Sequence, residues 1–486
     1  IEFGGQEHFY LETQAAWAEP GDEGDLFITS STQHPSEIQA IVSEVLHLPR
    51  NKIVVQSPRM GGGFGGKETQ GNAPAALIAL AALKTGRPVR LQWDRDLDMT
   101  LTGKRHPFLA KFEVGFDGDG VLRAVQADLV SDGGWSLDLS QPILDRALFH
   151  LDNAYYLPAV RFTGRIAKTN VASNTAFRGF GGPQGMLIIE EIIDRVARAL
   201  GLPPEVVRER NLYHGTGATN TTHYGADIGD NRLQKIWRSV LEQAKFAERR
   251  AEITAWNRAH PRVRRGLAVT PVKLGISFTL THYNQAGALV HVFQDGTVQV
   301  NHGGTEMGQG LHTKILGVAM RELGLPAAAI RMMHTRTDKV PNTSATAASA
   351  GADLNGAAVR NACATLRERL APIAAKLLGA SDSDFVFSDG HVFSRSKPDA
   401  PVPFAKLVAA AYANRVSLSA TGYYATPGIH WNWETVSGRP FAYYSFGAAV
   451  AEVEVDGYTG MSRGRREHIV HEGAAPTHEL RKRGTR

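Results

Sequence analysis

Cysteine is almost missing from this chain, with Cys363 alone among 486 residues. One thiol makes no internal disulfide and holds no zinc or iron–sulfur site, since those need several thiolates. A reducing cytoplasm is the expected setting. Cys363 keeps helical register with Val359, Leu366 and Leu370, which assigns it to a core rather than to reactive chemistry. Long apolar runs are missing too. The longest, Ala73 to Leu83, contains Pro74 and falls short of the about 20 residues that cross a bilayer, so no transmembrane span is expected. Charge of one sign is scarce: 53 Lys and Arg against 48 Asp and Glu leave a net charge of +5. Part of that excess sits in short clusters such as Arg262-Val263-Arg264-Arg265 and Arg481-Lys482-Arg483, and no nucleic-acid partner follows from it. The chain opens on Ile1 without a basic-then-apolar leader, so it is expected to lack an export signal and its natural beginning.

What is present is ordinary for a globular protein, with 43% hydrophobic and 21% charged residues. At this length more than one core is expected. Leu26 to Ser30 reads as a strand, Pro35 opens a helix with Ile38, Ile41, Val42 and Val45 on one face, and Ile53-Val54-Val55 is the next strand. The same order returns at Val298 to Val300, a helix carrying Ile315, Val318, Ala319 and Leu323, and Ile330, a faint internal repeat. Asp117-Gly118-Asp119-Gly120, Asp295-Gly296 and Asp456-Gly457 signal hairpins rather than calcium loops. A charged, weakly periodic stretch from Lys245 to Gly266 is the expected domain boundary. Strands and helices mix on both sides without strict alternation, so the expected class is α+β, with domains at 1–245 and 266–460.

Four segments dense in small residues each precede a helical pattern: Gly61 to Glu68, Arg178 to Gly185, Gly303 to Gly310 and Thr346 to Gly351. A single such loop is usually a tight turn. Four, drawn from both halves, suggest a large oxygen-rich ligand held between domains by close backbone approach and helix N-termini. The first loop also satisfies the Gly-x4-Gly-Lys spacing of a nucleotide-binding P-loop. Glu68, however, stands where Ser or Thr should ligate magnesium, and a carboxylate there repels phosphate.

Taken together, Gly4 to Tyr10, Met60 to Glu68, Asn174 to Gly185 and His302 to His312 closely resemble the molybdopterin-binding subunit of the xanthine dehydrogenase/oxidase family. The resemblance runs from about Gly4 to about Gly460. It implies two mixed α/β molybdopterin-binding domains with the cofactor site between them, and a metal held by pterin sulfurs rather than by cysteine. It further implies that Gln6, Phe64, Arg178 and Ala348 line the metal pocket and that Gly65 and Gln309 lie with the pterin. Phe180 and Phe278 are the implied aromatic walls around a planar heterocycle, and Thr279 borders them. Glu68 and Arg146 are the implied substrate-orienting pair, an acid and a base that aldehyde-oxidising relatives typically lack. Without the resemblance, Glu68 reads as a helix N-terminal residue and Arg146 as a surface cation.

The implied reaction is hydroxylation of an electron-poor carbon of hypoxanthine or xanthine towards urate, with water as the oxygen source and electrons leaving through the pterin. The implied [2Fe-2S] clusters and FAD belong on a partner subunit of a hetero-oligomer, because cluster cysteines and a flavin-binding fingerprint are lacking. No membrane partner is implied. The family's general base, a glutamate in a Gly-Val-Gly-Glu stretch, has no counterpart, so no catalytic base is assigned and the chain is expected to be truncated at both ends. Residues 461–486 read as an aberrant tail without strand or helix periodicity. The alternatives are the same scaffold acting on aldehydes or other N-heterocycles, and a non-catalytic relic.

Overall fold

The computed structural model describes residues 1–380 and 384–473. A five-stranded sheet orders Thr335–Arg336, Ile53–Ser57, Leu26–Ser30, Ala15–Pro20 and Val89–Gln92. Leu26–Ser30 and Ile53–Ser57 are parallel neighbours joined by the helix Pro35–Leu46 and a short 3-10 turn. The faint repeat is the same device built again: Val298–His302 and Ile330–Met332 are parallel, joined by the helix Leu311–Leu323 and another 3-10 turn. In both units a Leu-Pro step ends the crossover, because proline cannot continue a helix and sets an extended residue before it.

All three Asp-Gly signals fall between antiparallel strands: Phe108–Phe116 with Leu122–Gly134, Gln285–Val292 with Val298–His302, and Tyr443–Asp456 with Ser462–His471. The helix Gly182–Leu200 buries Ile188, Ile189, Ile192, Ile193 and Val196, a spacing of three and four residues that turns one stripe inward. With the helix Ser140–Phe149 it belongs to the core built on the sheet Glu2–Phe3, Phe108–Phe116, Leu122–Gly134 and Val160–Lys168. A separate core joins Gln285–Val292 and Val298–His302 to the long helix Gly351–Leu378, and Cys363 is fully buried there, its thiol pushed up to about 12 by burial. The architecture is α+β, as expected.

Two expectations need correcting. The charged stretch after Lys245 forms a helix, Phe246–Ala259, that buries Phe246, Arg249 and Ile253. The strand beyond it, Val263–Ile276, pairs along its whole length with Tyr443–Asp456, and Val269, Phe446, Ala448 and Val450 join the core of the preceding residues. The cores therefore do not divide at 245–266. Thr335–Arg336 likewise pairs back onto Ile53–Ser57.

The second correction concerns the tail, which opens with a regular strand, Ser462–His471, rather than losing structure after 460. Its side chains are mostly exposed, and ion pairs tie it to its neighbour: Arg463 to Glu454 at 2.6 Å and Arg465 to Glu452 at 2.9 Å. Such a charged edge strand carries no hydrophobic alternation for a sequence pattern to report. The remaining tail residues, 474–486, lie outside the described residues. Among the described residues, no helix is long and apolar enough to cross a membrane.

Candidate functional site

The first glycine-rich loop leaves the strand Ile53–Ser57 and turns before the helix Asn72–Thr85. Gly65 takes a φ of 99°, and a Cβ there would stand 2.7 Å from the Ala176 carbonyl oxygen. Glycine removes both obstacles. The close approach sets this loop against the second one, where the Arg178 N–H donates to the Phe64 carbonyl at 2.8 Å. The second loop in turn presses on the helix Ser140–Phe149 at Gly181, with φ 93° and a would-be Cβ only 2.0 Å from the Ile143 carbonyl oxygen. Phe180 and Arg146 thereby reach one cavity.

Gln33 joins the first loop to the fourth. Its side-chain oxygen accepts from Gly65 N–H at 2.8 Å and its amide nitrogen donates to the Thr346 carbonyl at 3.1 Å. The third loop enters through Met60 N–H on the Glu306 carbonyl at 2.9 Å and Thr305 N–H on Thr346 Oγ1 at 2.8 Å. All four loops therefore converge, and both halves of the chain contribute.

The cavity encloses about 660 Å³ when counted out through its open mouth, solvent included. Glu68, Arg146, Phe180, Phe278, Thr279 and Ala348 all line it, with Leu139, Pro142 and Leu280 as further apolar wall. Glu68 lies four residues before the helix Asn72–Thr85 and is 6% exposed, and Arg146 is 4% exposed, which disposes of the helix-end and surface-cation readings. Arg146 Nη1 donates to the Ser277 carbonyl at 2.9 Å and Nη2 to the Gly275 carbonyl, so the guanidinium is fixed by backbone beside Phe278. Its Nε is buried without a partner among the described residues, and the guanidinium carbon lies 5.1 Å from the Phe441 ring centroid. Burial lowers its pKa to about 10, and it stays a cation at neutral pH. Asn284 clamps Phe278 from both sides, accepting its N–H at 2.8 Å and donating to its carbonyl at 2.9 Å.

Glu68 behaves in the opposite way. Burial first, then the charges of Glu37 and Asp138, raise its carboxyl to about 8, so at neutral pH it is mostly a neutral acid that can donate a hydrogen bond. No ion pair joins Glu68 to Arg146 among the described residues.

A second cluster gathers three of the residues expected at the metal pocket. Gln6 Oε1 accepts from Arg105 Nε at 2.6 Å, Arg105 Nη2 donates to the Arg178 carbonyl at 2.9 Å, and Arg178 is bonded to Phe64. The Arg105 guanidinium also lies 4.0 Å from the Phe177 ring centroid. Gln309 braces its own loop, donating to the Thr305 carbonyl at 2.9 Å and accepting from Met307 N–H at 2.7 Å. Glu306 is committed to the same loop: it accepts from Gly308, Gly310 and His312 N–H, each at 2.9 Å. Burial would raise its pKa, but these three donors hold it below the ordinary carboxylate value.

Lys67 excludes the P-loop alternative geometrically. It is fully buried, donates to Ser31 Oγ at 2.8 Å and faces Glu12 at 3.5 Å, turned away from any phosphate in front of the loop. Sequence reading missed Gln33, Arg105, and the cavity-lining His34, Glu37 and Tyr283. Gln33 and His34 directly precede the helix opened by Pro35, which was the one available signal for those two.

Residues 1–212 match the family described as Molybdopterin cofactor-binding domain, and residues 239–479 match a second family with the same description. The chain belongs to the molybdopterin cofactor-binding family. Among curated proteins, this molybdopterin-binding chain is 48% identical to the xanthine dehydrogenase/oxidase of Rattus norvegicus over 96% of its own length and 33% of the relative's. It is 46% identical to that of Gallus gallus over 97% of its length and 33% of the relative's. It thus spans about a third of the curated relatives it matches. Among solved structures, quinoline 2-oxidoreductase from Pseudomonas putida 86 superposes with a TM-score of 0.84 at 26% identity, covering 97% of this chain and 60% of that one. The aldehyde oxidoreductase of Desulfovibrio gigas shares the fold, with a TM-score of 0.80 at 24% identity, covering 97% of this chain and 48% of that one.

The residues present suit such a cofactor. Arg105 Nη1 and Thr305 Oγ1 are buried beside the convergent loops without a partner among the described residues, donors of the kind an oxygen-rich ligand needs.

Proposed function

We propose that this chain is the molybdenum-site segment of a xanthine dehydrogenase-type hydroxylase that converts hypoxanthine and xanthine towards urate. The observation that carries the reading is one cavity with a neutral acid, Glu68, a fixed cation, Arg146, and the rings of Phe180 and Phe278 on its walls. A purine presents ring nitrogens, N–H groups and carbonyls at its edge and two flat faces. The neutral Glu68 carboxyl donates to a ring nitrogen or carbonyl, and Arg146 offsets negative charge as it grows on the ring. The aromatic rings hold the plane, and the apolar wall excludes water.

In this reading Gln6, Phe64, Arg178 and Ala348 surround the metal, Gly65 and Gln309 lie with the pterin, and Arg105 and Thr305 supply further donors. When bound, the molybdenum–molybdopterin group supplies the oxidising, oxygen-transferring chemistry. Iron–sulfur clusters and FAD, on another part of the assembly, take the electrons onward. The relatives' printed names, xanthine dehydrogenase/oxidase, support the purine substrate.

The test is turnover by the full-length enzyme that contains this segment. Xanthine kcat/KM is expected to exceed that for benzaldehyde by about 100-fold or more, since a site built to hydrogen-bond its substrate rejects one lacking those groups. Equal or better turnover of benzaldehyde defeats the assignment.

A further inference from the structure

The substrate cavity has a second acidic wall to which the purine reading gives no task. Glu37, in the first turn of the helix Pro35–Leu46, lines the cavity with His34 and Tyr283. Its carboxylate is anchored at both oxygens, with Oε2 2.8 Å from His34 Nδ1 and Oε1 accepting from Asn72 Nδ2 at 2.9 Å. Burial would raise its pKa, but these contacts hold it below the ordinary value, so Glu37 stays a carboxylate.

Charged or titratable groups surround the cavity that Glu68 lines from four directions. Glu37 and His34 come from the helix start, Asp138 from the loop before Ser140, Arg146 from the helix that follows, and Tyr283 from the loop beyond Phe278. Asp138 is itself pushed upward by burial and is a weaker source of fixed charge. Arg146 spends both terminal nitrogens on the Ser277 and Gly275 carbonyls rather than on Glu68. The fixed negative charge facing Glu68 is therefore chiefly that of Glu37.

We propose that Glu37, anchored by His34 and Asn72, is a positioning residue that acts through Glu68, keeping the Glu68 carboxyl a hydrogen-bond donor towards a bound planar heterocycle. An ionised Glu68 would only accept, and the cavity would then hold two acceptors against a ring edge. The inference rests on reading the cavity as a substrate site, but the coupling of the two acids does not depend on which heterocycle enters.

The experiment is an infrared pH titration of the full-length enzyme, following the carboxylic-acid C=O band identified by its loss in Glu68→Gln. In Glu37→Gln the midpoint of that band should move to lower pH by about half a unit or more, because a like charge has been removed. A second neutral variant, Glu37→Leu, should give the same shift, and Glu37→Asp should restore the wild-type midpoint. The alkaline fall of xanthine kcat/KM should move in parallel, with melting temperatures close to wild type. An unmoved midpoint in either folded neutral variant overturns the proposal. A shifted midpoint in an enzyme that does not oxidise xanthine sinks the purine assignment and leaves the Glu37 role standing.

Discussion

The cluster around Gln6 and the cavity around Glu68 lie close together and are built by opposite rules. In the first, groups are tied to one another in a chain, Gln6 to Arg105, Arg105 to the Arg178 backbone and that backbone to Phe64, and Arg105 keeps one nitrogen in reserve. In the second, the two ionisable side chains meant for ligand are kept off each other. Glu68 stays mostly neutral through burial and the charge of Glu37, and Arg146 is held by backbone carbonyls. A cradle must keep its shape through many turnovers, so its donors are fixed by one another. A substrate site must leave hydrogen-bonding capacity unspent, and it carries the cost of burying an acid and a cation apart.

The largest effect should come from breaking what both regions share. Gly181→Val places a side chain where even a Cβ meets the Ile143 carbonyl, at a φ that β-branched residues avoid. The second loop must then leave the helix Ser140–Phe149, and both sites lose a wall. Molybdenum content, measured by mass spectrometry of the purified enzyme, is expected to fall on the order of tenfold, with turnover of every substrate falling alongside. Full metal content with unchanged turnover would show that the loop does not set the site.

Arg105→Met separates the cradle from the cavity. It removes charge-assisted bonds to Gln6 and Arg178 worth about 1.5–3 kcal/mol each, so turnover should fall roughly tenfold for purine and aldehyde alike. A loss confined to purine would merge the two regions and undo the comparison.

Much of this arrangement is legible in the amino-acid sequence alone. Local signals survive in a sequence, which is why the four loops, the three Asp-Gly hairpins and the repeated crossover were readable. Arg105 and Gln33 were not, because their value arises only where strands and loops far apart in the chain close on each other. Glu37 carries no local signal of its own, and only the cavity in front of it gives it a role. The strand Ser462–His471 was hidden because ion pairs rather than an apolar face hold it. The pairing of Val263–Ile276 with a strand about 180 residues later leaves no trace in the local pattern.

A smaller effect isolates the burial of Glu68. Its carboxyl titrates near 8 in the folded chain against an ordinary 4.5, so the folded state holds more protons between those values. Stability contributed at that site therefore falls as pH rises through the window, on the order of 5 kcal/mol at full strength. Glu68→Gln removes the dependence. Its melting temperature relative to wild type should rise from pH 5 to about pH 8 and level off above it, and a flat difference would mean that Glu68 is ionised throughout.

The most direct test of the central claim, that this cavity is organised for a purine edge, is Arg146→Met in the full-length enzyme, read as kcat/KM for xanthine and for benzaldehyde side by side. The account predicts a loss of roughly tenfold or more on xanthine, from about 1.5–3 kcal/mol of charge-assisted contact, with benzaldehyde turnover close to wild type. Equal losses on the two substrates would contradict it, showing that Arg146 holds the Phe278 wall in place and does not recognise the ring.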